Sequence, residues 1–111
     1  MPSGVNGIDY LHGGDGDDTL YGNGNNDYLY GDGGLDILYG GDGDDFLYGG
    51  EGNDTLNGEA GSDFLDGGNG TNSYWGGTGV DVFYVSDGNS TNFIRDISFT
   101  AFRSPFRFSP P

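Results

Sequence analysis

The chain has 111 residues, enough for one domain, and its lack of cysteine excludes a disulfide framework. Its 18 acidic residues against three Lys or Arg give a formal net charge of −15, which argues against binding nucleic acid or an anionic membrane surface and favours the attraction of cations. No apolar run approaches the roughly 18 residues of a membrane span. The first residues lack the basic start and apolar stretch of a secretory signal peptide. We therefore expect neither a membrane span nor a secretory signal peptide in this sequence.

A nine-residue repeat runs without interruption from Gly4 to Tyr84. Its copies read GVNGIDYLH, GGDGDDTLY, GNGNNDYLY, GDGGLDILY, GGDGDDFLY, GGEGNDTLN, GEAGSDFLD, GGNGTNSYW and GGTGVDVFY. The first position is always Gly, the fourth is Gly except at Asn25, and the sixth is Asp except at Asn72. The composition alone is typical of disorder. A pattern that holds its phase across nine copies instead predicts a folded repeat protein.

Each repeat divides into a polar loop of six residues and a strand of three. Side chains alternate along a strand, so the eighth residue faces inward while the seventh and ninth face outward. The inward row is Leu11, Leu20, Leu29, Leu38, Leu47, Leu56, Leu65, Tyr74 and Phe83. Asn25 is expected to adopt the left-handed backbone conformation that glycine takes at the fourth position elsewhere.

This pattern resembles the calcium-binding nonapeptide Gly-Gly-x-Gly-x-Asp-x-U-x of the RTX (repeats-in-toxin, hemolysin-type) family, in which U is a large apolar residue. The resemblance implies an all-β fold, a right-handed parallel β-roll (a β-solenoid) with two repeats per turn. It assigns residues 1–84 to the roll and leaves 85–111 as a flanking or capping segment that is partly disordered. Within that segment, "NFIRDISF" resembles the strand that follows the last repeat in family members.

The sixth-position aspartates themselves point to a divalent cation. Strands stacked about 4.8 Å apart would bring these carboxylates close together, and each pair would repel by about 1–4 kcal/mol. The loops offer only oxygen donors, and the chain has no Cys and a single His, which argues against zinc and softer metals. Ca²⁺ takes six to eight oxygen ligands in flexible geometry, whereas Mg²⁺ tends to keep its waters. We therefore expect several Ca²⁺ ions.

The resemblance also implies which atoms bind. One loop supplies its second and fourth carbonyls and its sixth carboxylate; the next loop on the same side supplies its first and third carbonyls and its own carboxylate. The first site would use Gly14, Gly16 and Asp18 with Gly31, Gly33 and Asp36. The second would use Gly41, Gly43 and Asp45 with Gly58, Ala60 and Asp63. The third would use Asp32, Gly34 and Asp36 with Gly49, Glu51 and Asp54. Further pairs are Asp27 with Asp45, Asp63 with Asp81 (with Gly61 and Gly76), and Asp9 with Asp27. Asp54 with Asn72 is expected to be the weakest pair, for up to seven sites in all.

Other acidic and ionisable residues receive simpler interpretations. Asp17 and Asp44, at the fifth position, are expected to face solvent and to contribute solubility and long-range attraction of cations, as are the third-position side chains of Asp15 and Asp42. His12 is expected to be exposed at the end of the first strand rather than to act as a catalytic base. "DGDDTL" lacks the glycine and the distal glutamate of an EF-hand, and no nucleotide-binding loop occurs.

These observations favour a non-catalytic, calcium-dependent module of a secreted protein, exported by the type I route if the resemblance holds. The alternatives are an interaction, adhesion or ice-binding module on the same scaffold, and the detached C-terminal part of a secreted enzyme or toxin. Strand propensity and cross-rung packing are the favoured explanation of the outward aromatic residues, and a surface for self-association or ligand contact is the alternative. These residues are Tyr30, Tyr48 and Tyr84 on one side and Tyr21, Tyr39 and Trp75 on the other.

Overall fold

The structure is a computed structural model that describes residues 7–84, 92–96 and 99–103, which contain eleven β-strands and no helix. The strands are β1 (Tyr10–His12), β2 (Thr19–Tyr21), β3 (Tyr28–Tyr30), β4 (Ile37–Tyr39), β5 (Phe46–Tyr48), β6 (Thr55–Asn57), β7 (Phe64–Asp66), β8 (Asn72–Trp75), β9 (Val80–Tyr84), β10 (Asn92–Asp96) and β11 (Phe99–Arg103). Nine of them fall on the last residues of the nine repeats, as predicted. The eighth and ninth strands are longer, with four and five residues.

Odd and even strands form separate parallel sheets. The six-stranded sheet has the order β1-β3-β5-β7-β9-β11, and the five-stranded sheet has the order β10-β8-β6-β4-β2. Equivalent residues pair across each rung, so Leu11 lies beside Leu29 and Leu20 beside Leu38. The predicted parallel β-roll with two repeats per turn is therefore confirmed.

The core is the predicted inward row. Its members from Leu20 to Phe83 are 0% exposed, and Leu11 packs against them with partial burial. The sheets contribute alternately to this row because successive repeats alternate between them. Because the core is only one side chain wide on each strand, every repeat places a large apolar or aromatic side chain at the eighth position.

The loops turn through left-handed backbone conformations at the second and fourth positions. The φ angle of Asn25 is 74°, which confirms the prediction for the one fourth position without glycine. At the second position, Asn23, Asp32 and Glu59 have φ of 71°, 72° and 68°. Such angles cost little for Asn and Asp and more for Glu.

Strands β10 and β11 lie in the segment after the repeats and extend the two sheets. β10 pairs with β8 and β11 pairs with β9, both in parallel. Sequence reasoning anticipated one strand here, on the match of "NFIRDISF", and missed the second. The division into residues 1–84 and 85–111 stays a prediction, and residues 85–91 and 104–111 lie outside the described residues.

Candidate metal centres

The sixth-position side chains form two hydrogen-bonded columns, one on each side of the roll. In every described rung the backbone N–H of one sixth residue donates to Oδ1 of the sixth residue eighteen positions later. The bonds, of 2.8–2.9 Å, run from Asp9 to Asp27, Asp18 to Asp36, Asp27 to Asp45, Asp36 to Asp54, Asp45 to Asp63, Asp54 to Asn72 and Asp63 to Asp81. From Asp27 onward these residues are at most 2% exposed. One carboxylate oxygen of each is therefore fixed in place.

The second carboxylate oxygen of six of these aspartates lacks a partner of this kind. Six buried Oδ2 atoms accept no hydrogen bond from the described residues, namely those of Asp18, Asp27, Asp36, Asp45, Asp54 and Asp63. Buried polar atoms are nearly always hydrogen-bonded, and an unpaired buried charge is costly. Six repeated exceptions at equivalent positions indicate that a positive group belongs beside these oxygens.

A carbonyl from the next loop converges on the same space. A Cβ placed on Gly31 would lie 2.7 Å from both Oδ2 of Asp36 and the carbonyl oxygen of Gly49. On Gly13 it would lie 2.9 Å from Oδ2 of Asp18 and 2.8 Å from the carbonyl oxygen of Gly31. The same convergence recurs beside Gly22, Gly40, Gly49 and Gly58. The first position must therefore be glycine because any side chain would fill a small oxygen-lined space.

Burial raises the pKa of five of these carboxyl groups, those of Asp27, Asp36, Asp45, Asp54 and Asp63. The pKa is raised to about 7 at Asp45 and Asp54 and to about 9 at Asp63. Loss of hydration is the largest cause; the backbone hydrogen bond opposes it, and the neighbouring carboxylate in the column adds to it. The columns therefore resist holding several negative charges without a compensating cation.

The structure brings together part of six of the seven predicted ligand sets. Carboxylate and first-position carbonyl meet in the pairs Asp18–Gly31, Asp36–Gly49, Asp45–Gly58, Asp63–Gly76, Asp27–Gly40 and Asp54–Gly67. The fourth-position carbonyls point along the stack, since the oxygens of Gly16 and Gly43 lie against Gly34 and Gly61 in the next loops. Gly14 and Gly41 have left-handed φ of 84° and 87°.

The Asp32 carbonyl, predicted for the third site, already has a protein partner. It accepts a 2.9 Å hydrogen bond from the Glu51 N–H, beside a bridge between Gly33 and Glu51. A carbonyl oxygen has two lone pairs, so one remains for another contact. Among the described residues no three His, Cys, Asp or Glu side chains cluster as a metal site. The predicted sites need only two carboxylates each, with backbone carbonyls as the remaining ligands.

Sequence reasoning missed a second, outer column at the fifth position. Oδ1 of Asp17 accepts the Leu35 N–H, and Oδ1 of Asp44 accepts the Ser62 N–H, both at 2.8 Å. Two asparagines accept equivalent bonds: the Asp44 N–H donates to Oδ1 of Asn26, and the Thr71 N–H donates to Oδ1 of Asn53. These side chains are exposed as predicted, but they also join successive loops. The enrichment of Asp and Asn at position five was the available signal.

The outer face of the six-stranded sheet carries two aromatic columns. The predicted ninth-position column contains Tyr30 and Tyr48, 5.1 Å apart, with His12 stacked on Tyr30 at 4.6 Å. His12 is exposed as predicted, and its Nδ1 lies 3.4 Å from Oδ2 of Asp32. A seventh-position column was not predicted; it comprises Tyr10, Tyr28, Phe46 and Phe64. On the five-stranded sheet, Tyr21 stacks on Tyr39 at 5.1 Å.

Parallel strands, alternating sheets and buried aspartates beside first-position glycines define a cation-binding parallel β-roll. The family model of the RTX calcium-binding nonapeptide repeat matches residues 3–38, 39–74 and 75–91. The chain belongs to this family, and its repeats bind calcium. Family members are typically secreted, and the repeat is a structural calcium-binding module. No curated protein and no solved structure matches the chain, and no helix among the described residues is long and apolar enough to span a membrane.

Proposed function

We propose that this chain is a folding module of an extracellular protein, unfolded at cytosolic calcium and folded by Ca²⁺ outside the cell. The observation that carries the proposal is the set of six buried Oδ2 atoms without hydrogen-bond partners. Each is held beside a carbonyl oxygen by the fixed Oδ1 of the same carboxylate. A cation that binds only this arrangement adds its binding free energy to the stability of the folded state.

The residues of each site have separate roles in this proposal. The sixth-position carboxylates supply charge, the first-position carbonyls complete an oxygen-rich shell, and the first-position glycines leave the space. When bound, Ca²⁺ supplies the positive charge that neutralises paired carboxylates. The proposed ligands remain those named from the sequence: Asp9, Asp18, Asp27, Asp36, Asp45, Asp54, Asp63 and Asp81 with the loop carbonyls. The module itself is proposed to be non-catalytic.

An extracellular setting suits sites of modest affinity. Extracellular calcium modules bind at about 10⁻⁴–10⁻³ M, far above cytosolic calcium levels. A chain that stays unfolded before export and folds afterwards fits type I secretion as part of a larger protein. The regular carboxylate columns and the formal charge of −15 support this proposal, because both oppose folding until cations bind.

Circular dichroism of the purified chain tests the proposal. In chelator we expect a largely unfolded spectrum, and in about 10 mM Ca²⁺, a concentration above the extracellular range, a β-sheet spectrum. Mg²⁺ at the same concentration is the control, since its preference for small octahedral sites and retained waters predicts a weaker response. Identical spectra in chelator and in Ca²⁺ would contradict calcium-driven folding.

A second candidate function, an interaction or adhesion module, is favoured by the two aromatic columns. The Tyr10 and Tyr28 rings lie 3° from parallel at 4.8 Å, so neighbouring rings cover one another's faces. This geometry suits contact with a protein surface or a second copy through ring edges. A Tyr30→Ser/Tyr48→Ser variant compared with wild type by sedimentation in Ca²⁺ tests self-association. An ice-binding role would need a regular row, whereas β2, β4 and β6 present Thr19, Ile37 and Thr55.

A further inference from the structure

The eighth repeat departs from the pattern at two positions that contact the same glycine. It carries Asn72 instead of Asp at the sixth position and Tyr74 instead of Leu at the eighth. Both side chains are 0% exposed. A Cβ on Gly67, the first residue of this repeat, would lie 2.6 Å from Nδ2 of Asn72 and 2.5 Å from the Tyr74 hydroxyl. In the second to seventh repeats the corresponding space is bordered by a carboxylate oxygen and a carbonyl.

The Asn72 amide places a hydrogen-bond donor where those repeats have only acceptors. Its Oδ1 accepts the Asp54 N–H at 2.8 Å, so it keeps the bond that every sixth residue makes. Its Nδ2 donates to the carbonyl of Gly68 at 3.2 Å. Gly68 is the second residue of the loop, and in the predicted ligand pattern a second-position carbonyl faces the cation. The amide nitrogen thus satisfies an oxygen assigned elsewhere to an ion.

The Tyr74 hydroxyl replaces a direct backbone hydrogen bond with a relay. In six earlier rungs the first glycine N–H donates to the carbonyl seventeen residues later, as Gly49 does to Asp66 and Gly58 to Trp75. The Gly67 N–H donates instead to the Tyr74 hydroxyl at 2.9 Å. That hydroxyl donates to the Tyr84 carbonyl at 3.3 Å. Tyr74 therefore reaches from β8 to residues at the ends of β7 and β9.

We infer that Asn72 and Tyr74 close this rung of the roll with protein donors in place of a cation, so that within the folded roll its hydrogen bonds need no calcium ion of their own. The inference rests on the proposed function, because it contrasts this rung with rungs that need the ion. The Asn72 amide and the Tyr74 hydroxyl provide hydrogen-bond donors without charge. The bond from the Asp54 N–H holds the amide, and the bonds to Gly67 and Tyr84 hold the hydroxyl. On the side of the roll formed by the even-numbered repeats, the calcium-dependent sites therefore end at the eighth repeat.

Site-resolved hydrogen exchange of the full chain, at saturating Ca²⁺ and at the lowest Ca²⁺ concentration that keeps it folded by circular dichroism, tests this inference. Between these two concentrations we expect protection of the Gly67 amide to fall at least about tenfold less than that of the Asp18 and Asp36 amides, since a tenfold difference corresponds to one net hydrogen bond. Equal losses at all three amides would overturn the inference. Failure of the chain to take up Ca²⁺ in calorimetry would instead contradict the proposed function, whatever the exchange at Gly67.

Two substitutions separate the contributions of the Asn72 and Tyr74 side chains. Asn72→Asp removes the donor and adds a charge, so protection at Gly67 should become calcium-dependent. Tyr74→Phe removes only the relay, so protection of the Gly67 amide should fall about tenfold at both Ca²⁺ concentrations. Tyr30→Phe removes a hydroxyl from the outer aromatic column and serves as the matched control, with no change expected at Gly67. If both test variants exchange like the control, the assigned roles of Asn72 and Tyr74 are wrong.

Discussion

The Asp36 carboxylate accepts the backbone N–H of Asp18, eighteen residues earlier, at 2.9 Å through Oδ1. The backbone N–H of Asp36 donates to Oδ1 of Asp54 at the same distance. This double link sets the rotation of the carboxylate, and its Oδ2 is left beside Gly31 with the carbonyl oxygen of Gly49. The backbone ladder of the folded roll thus fixes the orientation of the proposed calcium ligands.

Replacing Asp36 should do the most damage of any single carboxylate change, because it alone belongs to two of the three sites whose ligands are fully specified, the first and the third. Asp36→Ala removes a charge-assisted hydrogen bond worth about 1.5–3 kcal/mol as well as the calcium ligand. Asp36→Asn keeps an oxygen for the Asp18 N–H and so isolates the effect of charge. We expect calcium titrations by circular dichroism to shift to higher concentration in both, and unfolding in saturating Ca²⁺ to weaken most in the alanine variant.

Asp17→Ala is the matched control for these variants. Asp17 also accepts a backbone N–H eighteen residues away, but its bond to Leu35 is exposed. Its loss should lower the free energy of unfolding less and leave the calcium midpoint near the wild-type value. A calcium midpoint of Asp36→Ala equal to that of Asp17→Ala would refute the distinction between the inner and outer columns.

Filling the space beside a first-position glycine should block calcium binding without removing a ligand. In Gly31→Ala the new Cβ would press on Oδ2 of Asp36 and the carbonyl of Gly49, each 2.7 Å away. Overpacking of this kind costs about 1–3 kcal/mol. We expect a loss of calcium stoichiometry by calorimetry and a lower unfolding midpoint in urea. Gly24→Ala is the control, since a Cβ there meets nothing within 4 Å; equal effects of the two would disprove the steric argument.

A glycine at position 59 should stabilise the roll. Glu59 has φ of 68°, in the left-handed region that costs a side-chain-bearing residue roughly 1–2 kcal/mol. Glu59→Gly removes that strain but adds about 0.5–1 kcal/mol of backbone entropy to be lost on folding. The expected net gain is up to about 1.5 kcal/mol in saturating Ca²⁺.

Glu51→Gly is the control for that gain, because it makes the same charge change at an exposed third position without left-handed φ. There only the entropy cost remains, so urea unfolding should show a loss of stability. A stabilisation of both variants would mean that relief of charge repulsion, rather than backbone strain, is the cause.

Acidification should stabilise the folded chain in chelator. Burial raises the folded-state pKa of Asp45 and Asp54 to about 7 and of Asp63 to about 9, above the value of 3.8 expected when unfolded. The folded state therefore binds protons more tightly, so stability is greatest below about pH 4 and is lost as the pH rises through 7 towards 9. Circular dichroism in chelator from pH 4 to 9 should show β-structure declining along this range.

The Asp63→Asn variant tests the source of that pH dependence. It removes the most strongly shifted group, so the decline between pH 7 and 9 should flatten. Asp17→Asn, at an exposed position, should leave the profile as in wild type. A profile unchanged by Asp63→Asn would locate the dependence elsewhere.

The sequence by itself determined the period, and the period determined most of the fold. Side-chain alternation placed Leu20 and Leu29 inward, and glycine at the first and fourth positions marked the loops. Two repeats per turn came from the family resemblance, and the pairing of Leu20 with Leu38 agrees with it. These features are predictable because each depends on local geometry repeated nine times.

Only the tertiary structure decided what each polar side chain touches. Three kinds of contact join residues in different loops or strands. They are the contacts of Oδ1 and Oδ2 of Asp36, the hydrogen bond of Asp17 in the outer column, and the relay through the Tyr74 hydroxyl. In the two columns the partners lie one full turn away, eighteen residues along the chain. The relay through Tyr74 ends on the Tyr84 carbonyl in the following repeat, so the pattern of a single repeat does not reveal these contacts. The physical reason is that a polar atom's partner depends on the stacking of rungs, which the nine-residue pattern makes possible but does not describe.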